Sequence, residues 1–234
     1  MIRTPRKIQR EANLMYVYSM RMRAIALALI ICTLFSFAAK SEGISGNSVL
    51  VSQDGYLITA EHVIAGCASL NAVSLGPVIA VGHDKANDLA LLKSNSKITA
   101  EPLPLSVAAV QLRDDVIAVG YPLQGILGGL TVMSGIVKDL PNNGTRLEFI
   151  AKPSVQPGNS GGAVLDRSGR LVGIMSTKRV FGRGVFAVTR EVIQTFLSAQ
   201  SVTPVLADDG KPERSREEIV KLARKSIFAI ECQN

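Results

Sequence analysis

A chain of 234 residues, 47% of them hydrophobic, can bury one sizeable core or two small lobes that share an interface. The formal charge of +7 points first to nucleic acid, but Arg3, Arg6, Lys7, Arg10, Arg21 and Arg23 against Glu11 place +5 of it within residues 1–23. The remainder carries only +2, which argues against a nucleic-acid partner.

The basic head runs into Ala24–Phe37, AIALALIICTLFSF, which is uncharged and apolar. It is short of the roughly 20 residues a bilayer-spanning helix needs. A basic region, an apolar run and small residues at Ser36 and Ala38 describe a secretory signal peptide over residues 1–38, cleaved near Ala38. An uncleaved signal anchor is the alternative, and Met15, Met20 and Met22 are further candidate starts. The mature chain is therefore expected in the periplasm or outside the cell, with no membrane partner once cleaved. Cys32 follows Ile31 rather than a small residue, against a lipoprotein. Cleavage leaves Cys67 and Cys232 in an oxidising compartment. A disulfide is the default expectation there, and two buried unpaired thiols are the alternative. Two histidines and two mature cysteines do not fall in metal-ligand spacing, and no cofactor is expected.

From Ile44 to about Leu197 the chain reads as short apolar runs: SVLVS, YLIT, SLNAVSL, VIAVG, LALLK, VIAVGYP, LTVMSGIV, RLEFIA, GAVLD, RLVGIM and GVFAVT. Turn signals such as Asp54-Gly55, Gly76-Pro77, Asn142-Asn143-Gly144 and Ser168-Gly169 separate them, which predicts an all-β barrel or sandwich. Two lobes are expected, at about 44–106 and 113–199, the second ending in a helix over Glu191–Ala199. A polar linker over 200–214 follows. Ser215–Arg224 then reads as a helix with a serine cap, and SIFAIEC as a closing strand.

One stretch carries chemistry. QPGNSGGAV, residues 156–164, sets Ser160 in a glycine-rich turn ahead of an apolar run. No Gly-Lys-Ser/Thr follows, so it is not a phosphate loop. It matches the G-x-S-x-G elbow of α/β-hydrolases, whose histidine follows the serine. Here His62 and His83 both precede Ser160, so the elbow reading fails. The remaining order, His…Asp…Ser, is that of the chymotrypsin-like double barrel. His62 ends an apolar strand, whereas His83 lies in a polar turn and reads as a surface residue. Asp88 leads directly into Leu89-Ala90-Leu91-Leu92, and a carboxylate drawn toward a buried strand needs a partner such as an imidazole N–H.

ITAEHV, NDLALL and QPGNSGGAVLD…GRLVGI together resemble the three signature blocks of trypsin-fold serine proteases, most of all the bacterial periplasmic HtrA/Deg-type branch. VGYPLQGILGGLTVMSGIV and GVFAVTREVIQTFL are similar to that branch's flanking stretches. The likeness covers about residues 46–199. It implies two six-stranded antiparallel β-barrels and a serine endopeptidase acting on protein or peptide substrates. Ser160 would be the nucleophile, His62 the base and Asp88 its orienting acid, with the loop of Gly158, Asn159 and Ser160 forming the oxyanion hole. Asn159 stands where animal digestive relatives carry aspartate, so activation by an ion pair to a new N-terminus is not expected. The resemblance places a substrate pocket near Ser154, with walls at Ser176, Thr177, Lys178 and Gly184. No acid lies at Ser154, against a preference for Lys or Arg. About 34 residues follow the barrels, too few for the PDZ domain usual in that branch. The helix and strand over 215–234 have the look of the pair that usually precedes the first block. They would dock on the first lobe and bring Cys232 to Cys67. A catalytically silent or chaperone-like binding module on the same fold is the competing function.

Overall fold

A computed structural model describes residues 43–122, 129–141, 144–176, 184–208 and 212–233. The expected signal peptide, and Thr177 and Lys178 of the expected pocket, lie outside the described residues. Twelve strands form two closed antiparallel barrels, as the resemblance implies. In chain order the first barrel uses β1 (Gly43–Leu50), β2 (Tyr56–Thr59), β3 (Ser69–Ala72), β4 (Gly76–Asp84) and β5 (Leu89–Ser94). The second uses β6 (Asp115–Gly120), β7 (Thr131–Asp139), β8 (Arg146–Lys152), β9 (Ala163–Leu165), β10 (Leu171–Met175) and β11 (Gly184–Thr189). Spatial orders are β1-β12-β3-β4-β5-β2 and β10-β11-β8-β7-β6-β9, where β12 (Ile227–Gln233) is the last strand of the chain.

Each barrel has its own core, and a third apolar cluster joins them. Leu50, Leu57, Ala90 and Leu92 fill the first barrel, while Met133, Leu147, Phe149 and Val164 fill the second. The joining cluster takes the opposite face of the same strands: Val49, Val51, Ile58, Leu89 and Leu91 from the first barrel, Val119, Leu165, Leu171 and Ile174 from the second. Side chains alternate faces along a strand. Leu89-Ala90-Leu91-Leu92 is therefore apolar at every position because one face lines a barrel and the other lines the barrel–barrel contact. Outward strands read differently. β7 alternates buried and exposed residues from Met133 to Lys138, because only one of its faces is covered.

Among the described residues, three helices accompany the barrels. α1 (Glu61–Ile64) is a single turn directly after β2, too short for a periodic signal in the sequence. α2 (Arg190–Ala199) buries Ile193, Phe196 and Leu197. α3 (Arg216–Ser226) opens with a capping box, in which the Ser215 hydroxyl accepts from the Glu218 N–H and the Glu218 carboxylate accepts from the Ser215 N–H. It buries Ile219, Ala223 and Ser226, spaced four and three residues apart, against the joining cluster and its surroundings.

β12 lies between β1 and β3, pairing Asn47 with Ala229 and Ala72 with Ile230. Cys67 and Cys232 form a disulfide with Cα atoms 5.3 Å apart. The segment read as a polar linker is partly held: Val205 N–H donates to Val51 O at 3.0 Å, and Ala207 N–H donates to Leu105 O at 2.9 Å. The attachment is made by main-chain bonds, since Leu206 is 52% exposed. Val202 is buried and Leu206 makes a parallel bridge with Leu105.

Candidate active site

The residues singled out in the three sequence blocks come from three strand ends. His62 sits in α1, one turn past β2, so a buried strand delivers its imidazole to the rim of the first barrel. Asp88 precedes β5 with a left-handed φ of 59°. That conformation costs an ordinary residue about 1–2 kcal/mol, though aspartate tolerates it better than most. The carboxylate is almost fully buried and collects donors accordingly. His62 Nδ1 lies 2.8 Å from Oδ2 and 3.0 Å from Oδ1, and the His62 backbone N–H donates to Oδ1 at 3.1 Å. The Ser176 hydroxyl, one residue past β10, donates to Oδ2 at 2.5 Å. A carboxylate accepts and cannot donate, so Nδ1 carries a proton, and in the neutral ring Nε2 presents its lone pair. The His62 side chain is 26% exposed against 3% for Asp88, which leaves the outer face of the ring open to a reactant.

Ser160 lies between β8 and β9 in a buried stretch, residues 158–162, that follows an exposed start of the loop. Gly158 and Gly161 have φ of 93° and 78°, values that favour glycine. Gly161 has a second constraint, because a Cβ there would overlap the carbonyl oxygen of Asn47. The loop is tied to β10: Gly161 N–H donates to Met175 O at 2.8 Å, and Met175 N–H to Gly162 O at 2.9 Å. Consecutive residues of one strand end, Met175 and Ser176, thus bind the serine loop and the Asp88 carboxylate. The Asn159 N–H is spent within the turn, donating to Gln156 O at 3.2 Å, while Gly162 N–H donates to Asn159 O at 3.0 Å.

The pocket residues divide. Ser154 is exposed. The Ser176 hydroxyl is turned to Asp88 Oδ2. Gly184 faces Glu148 on β8, whose carboxylate fills the space a side chain would take and lies 3.4 Å from Lys138 Nζ. Glu148 reaches Gly184 across the β8–β11 ladder rather than along the chain.

Other roles escaped the sequence. His83, expected as a surface histidine, is half exposed, and its Nδ1 lies 2.9 Å from Oε2 of buried Glu61, the residue before His62. Asn47, outside the three blocks, and Thr59, inside ITAEHV but given no role there, are buried polar residues against the serine loop. The only signal available was a polar side chain at the edge of an apolar run, as Ser176 follows LVGIM. Burial pushes the Tyr121 hydroxyl above its ordinary range, with Arg224 pulling weakly the other way, so the phenol stays protonated near neutrality. Among the described residues no group of three or more His, Cys, Asp or Glu is placed to hold a metal.

Comparison with known proteins agrees with this arrangement. Residues 46–174 match the family model described as trypsin-like peptidase domain. A Chlamydia trachomatis protein described as "Probable periplasmic serine endoprotease DegP-like" is 30% identical over 186 residues, covering 74% of this chain and 36% of the relative. Serine endoprotease DegS of Haemophilus influenzae is 32% identical over 139 residues, covering 55% of this chain and 40% of the relative. The chain thus spans two fifths or less of the length of these curated relatives. The crystal structure of a serine endoprotease from Yersinia pestis superposes with a TM-score of 0.57 at 28% identity, covering 66% of this chain and 56% of that one. Two closed six-stranded barrels and a family match over more than half the sequence lead to one conclusion: the chain belongs to the trypsin-like peptidase family.

Proposed function

We propose that the chain is a serine endopeptidase working in the periplasm or outside the cell, hydrolysing peptide bonds through an acyl-enzyme. The observation that carries this reading is the His62–Asp88 couple: a buried carboxylate holds Nδ1–H and frees Nε2 as a base. Nε2 takes the proton of Ser160 Oγ as the oxygen attacks the scissile carbonyl. The imidazolium so formed is stabilised by Asp88 and returns the proton to the departing amine. Water then repeats the sequence against the acyl ester. The N–H groups of Gly158 and Ser160 supply the developing oxyanion with donors, and such donors act most strongly where loop geometry is fixed beforehand. The Cys67–Cys232 disulfide supports an oxidising location.

The test is an activity-based fluorophosphonate probe on the folded, secreted protein. Labelling of the wild type but not of Ser160→Ala, together with hydrolysis of a peptide library, is the expected result. Absence of both in a folded protein gives the binding-module function instead.

A further inference from the structure

Asn47 is on β1, in the first barrel, outside every block that drew attention to the serine loop. It is completely buried, so its amide needs two acceptors for its N–H groups and a donor for its oxygen. Nδ2 donates to Gly158 O at 2.6 Å and to Tyr121 O at 3.1 Å, and Oδ1 accepts from the Tyr121 N–H at 2.7 Å. The main chain of the same residue works on the same loop. Its N–H donates to Ser160 O at 2.8 Å, and its carbonyl accepts the Thr59 hydroxyl at 2.5 Å.

Those bonds bear on the loop because a peptide unit is planar and trans: fixing its oxygen fixes its N–H on the opposite side. The Gly158–Asn159 unit is held at its oxygen by the Asn47 amide and at its N–H by Gln156. The Ser160–Gly161 unit is held at its oxygen by the Asn47 N–H and at its N–H by Met175. Between them, Gly162 holds the oxygen of the Asn159–Ser160 unit, which sends the Ser160 N–H the other way. The Pro157–Gly158 unit, which carries the other oxyanion donor, has no bond to a described residue. Its orientation depends on the anchored carbonyl of Gly158 beside it. The Asn159 side chain adds nothing to this anchoring: it is fully buried, and among the described residues its amide has no hydrogen-bond partner.

We infer that Asn47 is a positioning residue that holds the oxyanion loop in working geometry in the resting protein, in place of an ion pair at Asn159. The inference rests on the peptidase reading for its kinetic readout but not for its structural one. Asn47→Ser removes the reach of the amide, and Asn47→Asp keeps its volume and the acceptor for Tyr121 while removing the donors. Each variant is assayed on a chromogenic peptide with active sites titrated, so that misfolded protein does not enter kcat. The expected result is a kcat lower by about 10–100-fold, less than deleting an oxyanion donor outright, with KM within about threefold. Affinity for a peptidyl boronate, whose tetrahedral oxygen takes the oxyanion position, falls by the same factor. A purely structural role would lower the melting temperature and leave kcat per titrated site alone. A folded variant with kcat within threefold of wild type overturns the inference. If neither variant folds, the wild type decides by hydrogen exchange of the Asn47 side-chain amide without inhibitor: protection is expected, and exchange as fast as a free amide overturns it. A wild type that neither labels nor hydrolyses peptides counts against the peptidase reading, while the exchange result still judges the clamp.

Discussion

Removing the Cys67–Cys232 bridge separates what closes the first barrel from what restrains the unfolded chain. The two cysteines are 165 residues apart, and the chain-entropy relation gives about 5 kcal/mol for a loop of that length. Native bridges deliver about 2–5 kcal/mol in practice, which for a domain of this size is a fall in Tm of about 4–20 °C. β12 has other attachments: it pairs with β1 and β3, and Ile227, Ala229 and Ile230 are buried. The bridge therefore acts mainly through the unfolded state, and the folded site should barely register its loss. Thermal melts of the Cys67→Ser/Cys232→Ser double variant, and of wild type with a reductant, should show the same drop. The reductant should leave the double variant unchanged. Peptide hydrolysis well below the melting range should stay within about twofold of wild type. A Tm shift under about 2 °C would refute the entropic argument. A large loss of activity in a folded, reduced protein would show instead that the bridge tensions the turn between Cys67 and His62.

Ser176→Ala withdraws one of the donors to the buried Asp88 carboxylate, a charged hydrogen bond typically contributing about 1.5–3 kcal/mol. A tenfold or larger fall in fluorophosphonate labelling rate and a Tm lower by about 3–12 °C are expected; an unchanged rate removes Ser176 from the site. Gly161→Ala combines a forbidden φ with overlap on the Asn47 carbonyl, so labelling should vanish and Tm should drop sharply. Ser215→Ala deletes the cap of α3 and should cost about 1 kcal/mol, read as a melting shift of a few degrees. The Ser215 hydroxyl and N–H hold the Glu218 carboxyl below its ordinary range, so its contribution is present above the unfolded-state value and fades as pH falls through the lowered one. Acid melts of Glu218→Gln should lack that loss, and identical acid slopes in variant and wild type would contradict it.

The strand pattern and the double-barrel class were legible because each strand has a fixed burial. β5 reads as uninterrupted apolar sequence and β7 as an alternation, and both textures follow from which faces are covered. His62, Asp88 and Ser160 were legible because their neighbours change abruptly from apolar strand to polar turn. Ser176 was legible in position but not in role. Whether a serine at a strand end faces a pocket or a carboxylate depends on a residue 88 positions away. Asn47 was not legible at all. Its four partners among Tyr121, Gly158, Ser160 and Thr59 belong to three distant parts of the chain, and nothing in SGNSVL marks an amide that must bind them.

The candidate site is split between the barrels, which explains where polar residues are spent in an otherwise apolar interface. His62 and Asp88 belong to the first barrel, and Ser160 and Ser176 to the second. Apolar contact presses the barrels together but is non-directional, and it tolerates sliding that a proton transfer between His62 and Ser160 would not. Directional bonds across the interface remove that freedom: Ser176 to Asp88 on one side of the serine loop, Asn47 to Gly158 and Ser160 on the other. The C-terminal segment adds a tie away from the site. Arg216 at the start of α3 donates to Ser134 Oγ at 2.5 Å and Val132 O at 2.7 Å on β7, and the chain then runs into β12 of the first barrel. Closure of the first barrel and its attachment to the second are thus made by one continuous element. Loosening α3 should disturb both together, so the two barrels should behave as a single cooperative unit rather than as independently melting lobes.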